Sequence, residues 1–327
     1  MQRRSLLSAA IASCSLSVGL PLRAQSFPSK PVRMVVPFPA GGPTDAFARL
    51  YAEALGKQLG QTVVVENKAG ASGALGTLDV KRSAADGYSM LFGTASTHVL
   101  YNLIQPKPQY DALADFAFIG VLGGAPVVFA VTPNMPRTLK TVVIAAKTNP
   151  GKYNYGSPGT GTLLHVAAER LKQLTGAPMT HVPYKGAAPA LQDLIGGQIE
   201  MTVDTLGGLL PHHQSSRVRI VGVATAKRLA SAPDIPTVAE SADLPKPFEA
   251  LLWNVVTVPR ATPQAVQRTL AEATRMAMDD PTLRSRLESQ SMFADLHIGE
   301  SAASAYVKAE SAKWKPIITA LGDLTTR

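Results

Sequence analysis

The stretch Val32-Arg33-Met34-Val35-Val36-Pro37-Phe38-Pro39-Ala40-Gly41-Gly42-Pro43-Thr44-Asp45 decides the fold class. Its first half, to Phe38, reads as a short buried strand, because a bounded run of Val and Met suits a pleated interior. Pro39 to Asp45 reads as a glycine-rich loop that ends in helix-cap residues. Ala46 to Leu59 then sets Phe47, Leu50, Tyr51, Ala54 and Leu55 at helical spacing, and Gly60 stops the helix. Thr62 to Glu66 is the next strand, a Gly/Ala-rich helix start follows from Gly70 to Val80, and Tyr88 to Gly93 is a third strand. This β-α-β-α-β order argues for a parallel sheet covered by helices.

The pattern restarts downstream. Lys152 to Ser157 reads as a strand, Pro158 to Thr162 as its loop, and Leu163 to Leu174 as a helix ended by Gly176. Strand Thr180 to Val182, helix Ala188 to Ile195, and strands Ile199 to Val203 and Val218 to Ala224 complete a second unit. After Pro245-Lys246-Pro247 comes a strand, Leu251 to Val256, and then helix-rich sequence over Gln264–Met278, Pro281–Gln290 and Ser301–Leu321. That last segment has no complete α/β unit of its own, so it is expected to return to the first unit. The expected division is residues 25–125 with 250–327 as domain 1 and 126–249 as domain 2. The chain would cross near Gly123–Pro133 and Pro245–Val256, which permits a hinge and a cleft.

The chain has 327 residues, 46% hydrophobic and 17% charged, which describes a core-forming protein rather than a disordered one. Residues 1–24 read as a signal peptide: Arg3-Arg4, then an uncharged run from Ser5 to Leu22, then a small residue, Ala24, at the expected cut. Arg3-Arg4 is a loose twin-arginine match and is equally ordinary for general secretion. Ile11-Ala12-Ser13-Cys14 resembles a lipoprotein box, but the apolar run continues past Cys14. Cleavage after Ala24 removes the one cysteine and three arginines, which leaves 303 residues and lowers the formal charge from +9 to +6. The later sequence has no run long enough for a membrane helix. The expected product is soluble and periplasmic.

In open α/β sheets, ligands bind beyond the carboxyl ends of the strands. Four segments fall there: Pro39–Asp45, Gly93–His98, Ser157–Thr162 and Asp204–Gly208. The first and third lead directly into helices, whose free N–H groups and positive dipole ends suit an anion. The same glycines would serve tight βα turns without any ligand. The G-x-S-x-G elbow and the G-x-x-x-x-G-K-[ST] phosphate loop are missing, and Gly159-Thr160-Gly161 lacks the third glycine of a dinucleotide fingerprint. The six histidines are scattered, and the adjacent His212-His213 do not make an i,i+4 metal pair. No catalytic residue, metal or cofactor is expected. Phe38, His98 and Phe116 are the rings that could face a ligand.

The run Pro28 to Asp45 resembles the opening of the tripartite tricarboxylate transporter receptors, also called the Bordetella uptake gene (Bug) family of periplasmic solute-binding proteins. Val63 to Gly70, Asp86-Gly87-Tyr88, Asn149 to Lys152, His181 to Gly186, Pro189-Ala190-Leu191 and Asp234 to Glu240 match as well, so the resemblance covers the whole mature chain. It implies a two-lobed type II periplasmic-binding-protein (Venus flytrap) fold, each lobe a mostly parallel sheet flanked by helices. It also implies capture of a small carboxylate, with delivery to transporter subunits of the tripartite tricarboxylate type in the membrane or use in sensing. Carried over by position, the resemblance picks Ala40, Gly41, Thr44 and Asp45 from the first loop. From the second unit it picks Ser157, Gly159, Thr160, Thr162, His165 and Asp204, and Thr94 and Ser96 would read the ligand's distal end. Pro43 departs from the family's usual Ser or Gly, which removes one N–H and one hydroxyl from the first loop. Two other readings compete: an exported enzyme using His165 with Asp204, and a nucleic-acid-binding regulator. The second lacks a basic recognition helix before the first strand. A monomer is expected, with no nucleic acid partner.

Overall fold

The computed structural model describes residues 27–324. The signal-peptide reading, and with it Cys14, lies outside the described residues. The first lobe opens with β1 (Val32–Val36), α1 (Pro43–Leu59), β2 (Val63–Asn67), a short 3₁₀ turn, α2 (Ala74–Lys81) and β3 (Ser89–Thr94). One turn of π-helix, Ser96–Leu100, runs into α3 (Tyr101–Ile104). A long strand, β4 (Phe116–Val131), leads to α4 (Leu139–Thr148) and β5 (Asn154–Ser157). The second unit continues as α5 (Leu163–Thr175), β6 (Thr180–Pro183), α6 (Ala187–Ile195), β7 (Met201–Thr205), α7 (Leu206–Gln214), β8 (Arg219–Val223) and α8 (Val238–Ala242). The chain ends with β9 (Leu251–Pro259), α9 (Gln264–Asp279), α10 (Pro281–Ser289), β10 (Phe293–Ile298) and α11 (Glu300–Leu321).

The strand order is β2-β1-β3-β9-β4-β7-β5-β6, with β8 and β10 also paired to β4. β2-β1-β3 and β7-β5-β6 are parallel, as right-handed βαβ crossovers demand. β9 and β4 are antiparallel to their neighbours. β4 pairs with β9 as far as Pro126 and with β7 from Val127 onward, so it belongs to the sheets of both lobes.

Three sequence expectations change. The first helix begins at Pro43 rather than Ala46. Proline is favoured in the first turn, where its missing N–H would find no acceptor anyway. Asp45 is therefore inside that turn and is not the cap; Gly42 is, with no side-chain cap bond. Asp204–Gly208 is not a loop: β7 runs to Thr205 and α7 starts at Leu206. β4 was not anticipated, because Gly120, Gly123, Gly124 and Pro126 interrupt its apolar pattern.

The core explains these placements. In the first lobe Phe47 of α1 meets Phe92 of β3 edge-on, with ring centroids 5.5 Å apart. The buried hydroxyls of Tyr51 and Thr274 bond at 2.7 Å and tie α1 to α9. In β4 the register shifts between Val121 and Gly123, a bulge, and Gly123 adopts φ of 93°. At Gly124 a Cβ would run into the Leu252 carbonyl oxygen of β9. Two buried indoles, Trp253 of β9 and Trp314 of α11, donate to one carboxylate, Glu310, at 3.1 and 3.2 Å. That shared acceptor fixes α11 against β9.

The close approach at Gly124 gives a test. Gly124→Ala is expected to cost at least about 3 kcal/mol, since overpacking against backbone has no cheap relief. Gly151→Ala, at positive φ (80°) but with open space around it, should cost about 1 kcal/mol. Urea unfolding midpoints of the two variants measure the difference.

Candidate functional site

Where β1 ends, Phe38, Pro39 and Ala40 lead to α1 and form one wall of a cavity between the lobes. Gly42, Pro43 and Thr44 at the start of α1, Ser96, and Leu252 of β9 continue that wall. The second lobe supplies Pro158, Thr162 and Leu164 around the start of α5, and Lys185 to Pro189 around the start of α6. The cavity holds about 140 Å³, close to the ~150 Å³ that suffices for benzene in an engineered core. Three helix N-termini, those of α1, α5 and α6, therefore meet at one space. Each presents N–H groups without intrahelical acceptors and the positive end of its dipole.

The lobes touch across this space. The Leu163 N–H, at the start of α5, donates to Ser96 Oγ at 3.0 Å. The Ser72 hydroxyl donates to the Thr160 carbonyl. A Cβ at Gly186 would lie 3.1 Å from Pro39, so the start of α6 rests on the first loop with little room to spare.

Ala40, Thr44, Ser96 and Thr162 from the sequence set line this cavity. The others lie around it. Asp45 is 3% exposed and braces the first loop. Its Oδ2 accepts the Gly41 N–H at 2.9 Å and Arg49 Nε at 3.0 Å, and its Oδ1 accepts Asn67 Nδ2 at 2.8 Å. Burial pushes this carboxyl up, but the Arg49 guanidinium, the Gly41 N–H and Asn67 together hold it below its usual value. The Thr94 hydroxyl accepts the Ser96 N–H at 3.1 Å and is fully buried. Ser157 is also fully buried and bonds His181 Nε2 at 2.8 Å. His165 Nδ1 accepts the Gly161 N–H at 3.0 Å, and its ring stacks on His181 with centroids 4.1 Å apart. Gly159 and Thr160 line other hollows. Of the three rings named from sequence, Phe38 lines the cavity. His98 and Phe116 are packed in the core, where burial lowers the His98 pKa to about 3.

Gly41 and Asp204 line a neighbouring cavity of about 310 Å³ with Gly207, Gly208, His212 and Gln290. His165 is absent from both linings, so the proposed acid–base pair shares no cavity. Sequence reasoning missed the start of α6. Its signal was present: Lys185-Gly186-Ala187-Ala188-Pro189 repeats the strand, glycine, proline-bearing first turn of Phe38 to Thr44. Among the described residues, no three His, Cys, Asp or Glu side chains group as a metal site, and no helix is long and apolar enough to cross a membrane.

The family model for the tripartite tricarboxylate transporter family receptor matches residues 47–323. The chain belongs to that family. A relative from Pseudomonas sp. strain P51, a UPF0065 protein in the tcbD-tcbE intergenic region, is 32% identical over 97% of this chain and 94% of its own. Among solved structures, the periplasmic binding protein BugD is similar at 32% identity and a TM-score of 0.85, covering 91% of this chain and 99% of BugD. MatC from Rhodopseudomonas palustris with bound malate has 30% identity and a TM-score of 0.83, over 89% and 99% of the two chains. An R. palustris protein with adipate has 31% identity and a TM-score of 0.84, over 90% and 98%.

In this receptor Asp204 is the carboxyl most out of place. It is 4% exposed, and its Oδ1 accepts the N–H of Thr205 at 2.7 Å. Burial without a counter-charge pushes it up to about 6, against the smaller opposing effect of the Thr205 bonds. The folded protein thus holds this proton more tightly than the unfolded chain does. The associated stability is full below the unfolded value, near 4, and is lost as pH rises through about 6. The loss amounts to roughly 3 kcal/mol. Asp204→Asn keeps an acceptor for Thr205 and removes the charge. It should stabilise the receptor by up to about 3 kcal/mol at pH 8 and by under about 1 kcal/mol at pH 4. Urea titrations at the two pH values check the sign.

Proposed function

We propose that this receptor captures a small organic acid between its lobes in the periplasm and delivers it to the membrane subunits of a tripartite tricarboxylate-type transporter. The observation that carries this reading is the meeting of three helix N-termini at one inter-lobe cavity. A carboxylate there is held by peptide N–H groups and dipole ends. No buried Lys or Arg is needed. The malate and adipate bound by the R. palustris relatives support a carboxylate. The polar set proposed for contact is Ala40, Thr44 and Ser96, joined by the N–H groups of Ala187 and Ala188; Thr162 lines the same cavity with its hydroxyl and its N–H already donated to Gly159. Asp45, Thr94, Ser157, Gly159, Thr160 and His165 hold the loops, and Gly41 and Asp204 border the adjoining space.

The lobes are proposed as residues 25–125 with 250–327 and residues 126–249, acting as a monomer after export by Sec or Tat and removal of residues 1–24. Opening would break the Leu163–Ser96 bond, so this contact links ligand capture to closure. Catalysis is not part of the reading, since His165 is engaged by Gly161 and His181.

A thermal-shift screen of the purified receptor against carboxylic acids tests the proposal. A ligand at a hundred times its Kd adds about 2.7 kcal/mol and raises the melting temperature. A receptor stabilised by sugars or amines and by no acid would refute it. Ser96→Ala removes the inter-lobe acceptor and should weaken the best acid about fivefold, the worth of one hydrogen bond of about 1 kcal/mol. Isothermal titration measures this.

A further inference from the structure

Two backbone segments from different lobes press together beside the cavity that Asp204 lines. A Cβ on Gly207, in the first turn of α7, would stand 2.0 Å from the carbonyl oxygen of Gln290, the residue that caps α10. Ordinary contact begins at 3.4 Å, so an alanine fits only if the two backbones part. Neither segment can yield by itself. Leu206 and Leu209 of α7 are fully buried and pack with Val128 of β4 and Ile220 of β8. On the other side, Leu283 and Leu287 of α10 sit in the core that holds Phe47 and Leu55 of α1. Arg286 of α10 also bonds Glu53 of α1 at 2.7 Å. The turn after Gln290 is closed by two bonds of 2.9 Å, the Ser291 N–H to the Glu288 carbonyl and the Met292 N–H to the Leu287 carbonyl. The Gln290 carbonyl thus belongs to a fixed turn of one lobe and Gly207 to a fixed helix of the other.

The place of this contact gives it leverage. Thr205, at the end of β7, pairs with Val127, and Phe293, at the start of β10, pairs with Gly124. Those partners lie on either side of Pro126, where β4 passes from one lobe to the other. Gly207 and Gln290 follow and precede these pairs by only two and three residues. Both line the cavity that shares Gly42, Pro43, Ala187 and Ala188 with the inter-lobe one, so the contact faces the cleft. A prop close to a pivot moves the far rim further than it moves the base. At that rim the Ser72 hydroxyl reaches the Thr160 carbonyl, and Gly186 rests on Pro39. The contact is attractive as well as close, because α10 ends there with its carbonyls and negative dipole end while α7 begins with free N–H groups.

We propose that Gly207 is a positioning residue for ligand capture: its missing side chain lets the lobes close at the base of the cleft, and a side chain at this position props the receptor open. The inference rests on the reading of capture between closing lobes and adds the residue that sets how far they close. A side chain here acts in opposite directions on two quantities. Alanine suits a helix better than glycine, so each lobe keeps its stability once the two have parted. The closed state meanwhile loses the Leu163–Ser96 bond and the convergence of helix starts, so a bound acid leaves faster. A glycine that merely packs inside one rigid body would lose stability and affinity together when replaced.

The test compares Gly207→Ala and Gly207→Leu with the unaltered receptor. The probes are malate, adipate, citrate and benzoate, followed by isothermal titration and stopped-flow displacement. Small-angle X-ray scattering with and without acid reports the separation of the lobes. Without ligand, Gly207→Ala should melt no more than about 2 °C below the unaltered receptor. It should bind each acid that the unaltered receptor binds at least about tenfold more weakly, chiefly through faster dissociation. Gly207→Leu, the larger prop, should bind more weakly still and keep its extended radius of gyration at the acid concentration that compacts the unaltered receptor. Affinities within about twofold of the unaltered receptor in both variants would overturn the inference and leave the carboxylate reading standing. A melting temperature of Gly207→Ala lowered by more than that 2 °C limit would also overturn it, since the contact would then lie inside one rigid body. An unaltered receptor that binds none of the acids would overturn the carboxylate reading and this inference with it.

Discussion

A strand that serves two sheets must change partners without leaving a buried amide unpaired. β4 is buried along its whole length from Phe116 to Val131, so it faces this constraint in full. The change falls at Pro126, which has no N–H to leave unpaired. Immediately after it, the Val127 N–H donates to the Ala250 carbonyl at 3.1 Å, and the Val127 carbonyl accepts the Ala224 N–H at 2.8 Å. The Ala250 N–H closes the set on the Ala224 carbonyl at 3.0 Å. The two chain segments that pass between the lobes are therefore hydrogen-bonded to each other and to the end of β8 at one place. Everything that distinguishes two lobes from one large sheet depends on that exchange.

The cavity follows from the same arrangement. Parallel βα units point their helix N-termini to one end of the sheet, and the passing strands set the two units so that those ends face each other. Leu252 lies two residues past the exchange and lines the cavity. Polar side chains near the cavity mostly hold its loops in place. Asp45 binds Gly41, Arg49 and Asn67. On the other side, Glu169 accepts Tyr155 Oη at 2.5 Å and Lys172 Nζ at 2.6 Å, and Tyr155 stacks on His181, which bonds Ser157. These bonds fix where the free peptide groups point. A rigid array of N–H groups costs no reorganisation when an anion arrives.

The alternation of strand, glycine loop and helix was legible because each element carries its own periodicity, as the Val63 to Val65 run and the Phe47–Leu55 stripe show. The resemblance carried by Pro28 to Asp45 added the family and the two-lobed fold. What escaped the pattern did so for physical reasons. β4 contains glycines because backbone from β9 and β10 crowds it, and a pattern reader takes those glycines for turns. Gly207 and Gly208 look like a loop, yet they open α7, where Gly207 packs against the Gln290 backbone. The start of α6 was passed over because its residues, Ala187 and Ala188, have no side-chain chemistry. Their contribution is backbone N–H, which a list of functional side chains does not register. The converse held for Asp45 and His165, conspicuous residues whose partners are other groups of the protein: Gly41, Arg49 and Asn67 for the first, Gly161 and His181 for the second.

The formal charge of +9 invites a different account of anion binding, and the structure argues against it. The basic side chains near the first lobe's edge are paired: Arg33 with Glu66 and Asp79 at 3.0 and 2.8 Å, and Lys68 with Asp79 at 2.7 Å. All four are about a third exposed, a setting in which ion pairs contribute little and salt screens them. They form a surface network, and none of the four lines the cavity. At the cavity itself a lone lysine is exposed, and the fixed positive ends are peptide dipoles. Dipoles of this kind act at short range and stay unscreened where water is excluded. On the proposed reading an anion is recognised by where three helices begin, and the surplus of lysine and arginine would act on the approach of an anionic ligand rather than on its choice.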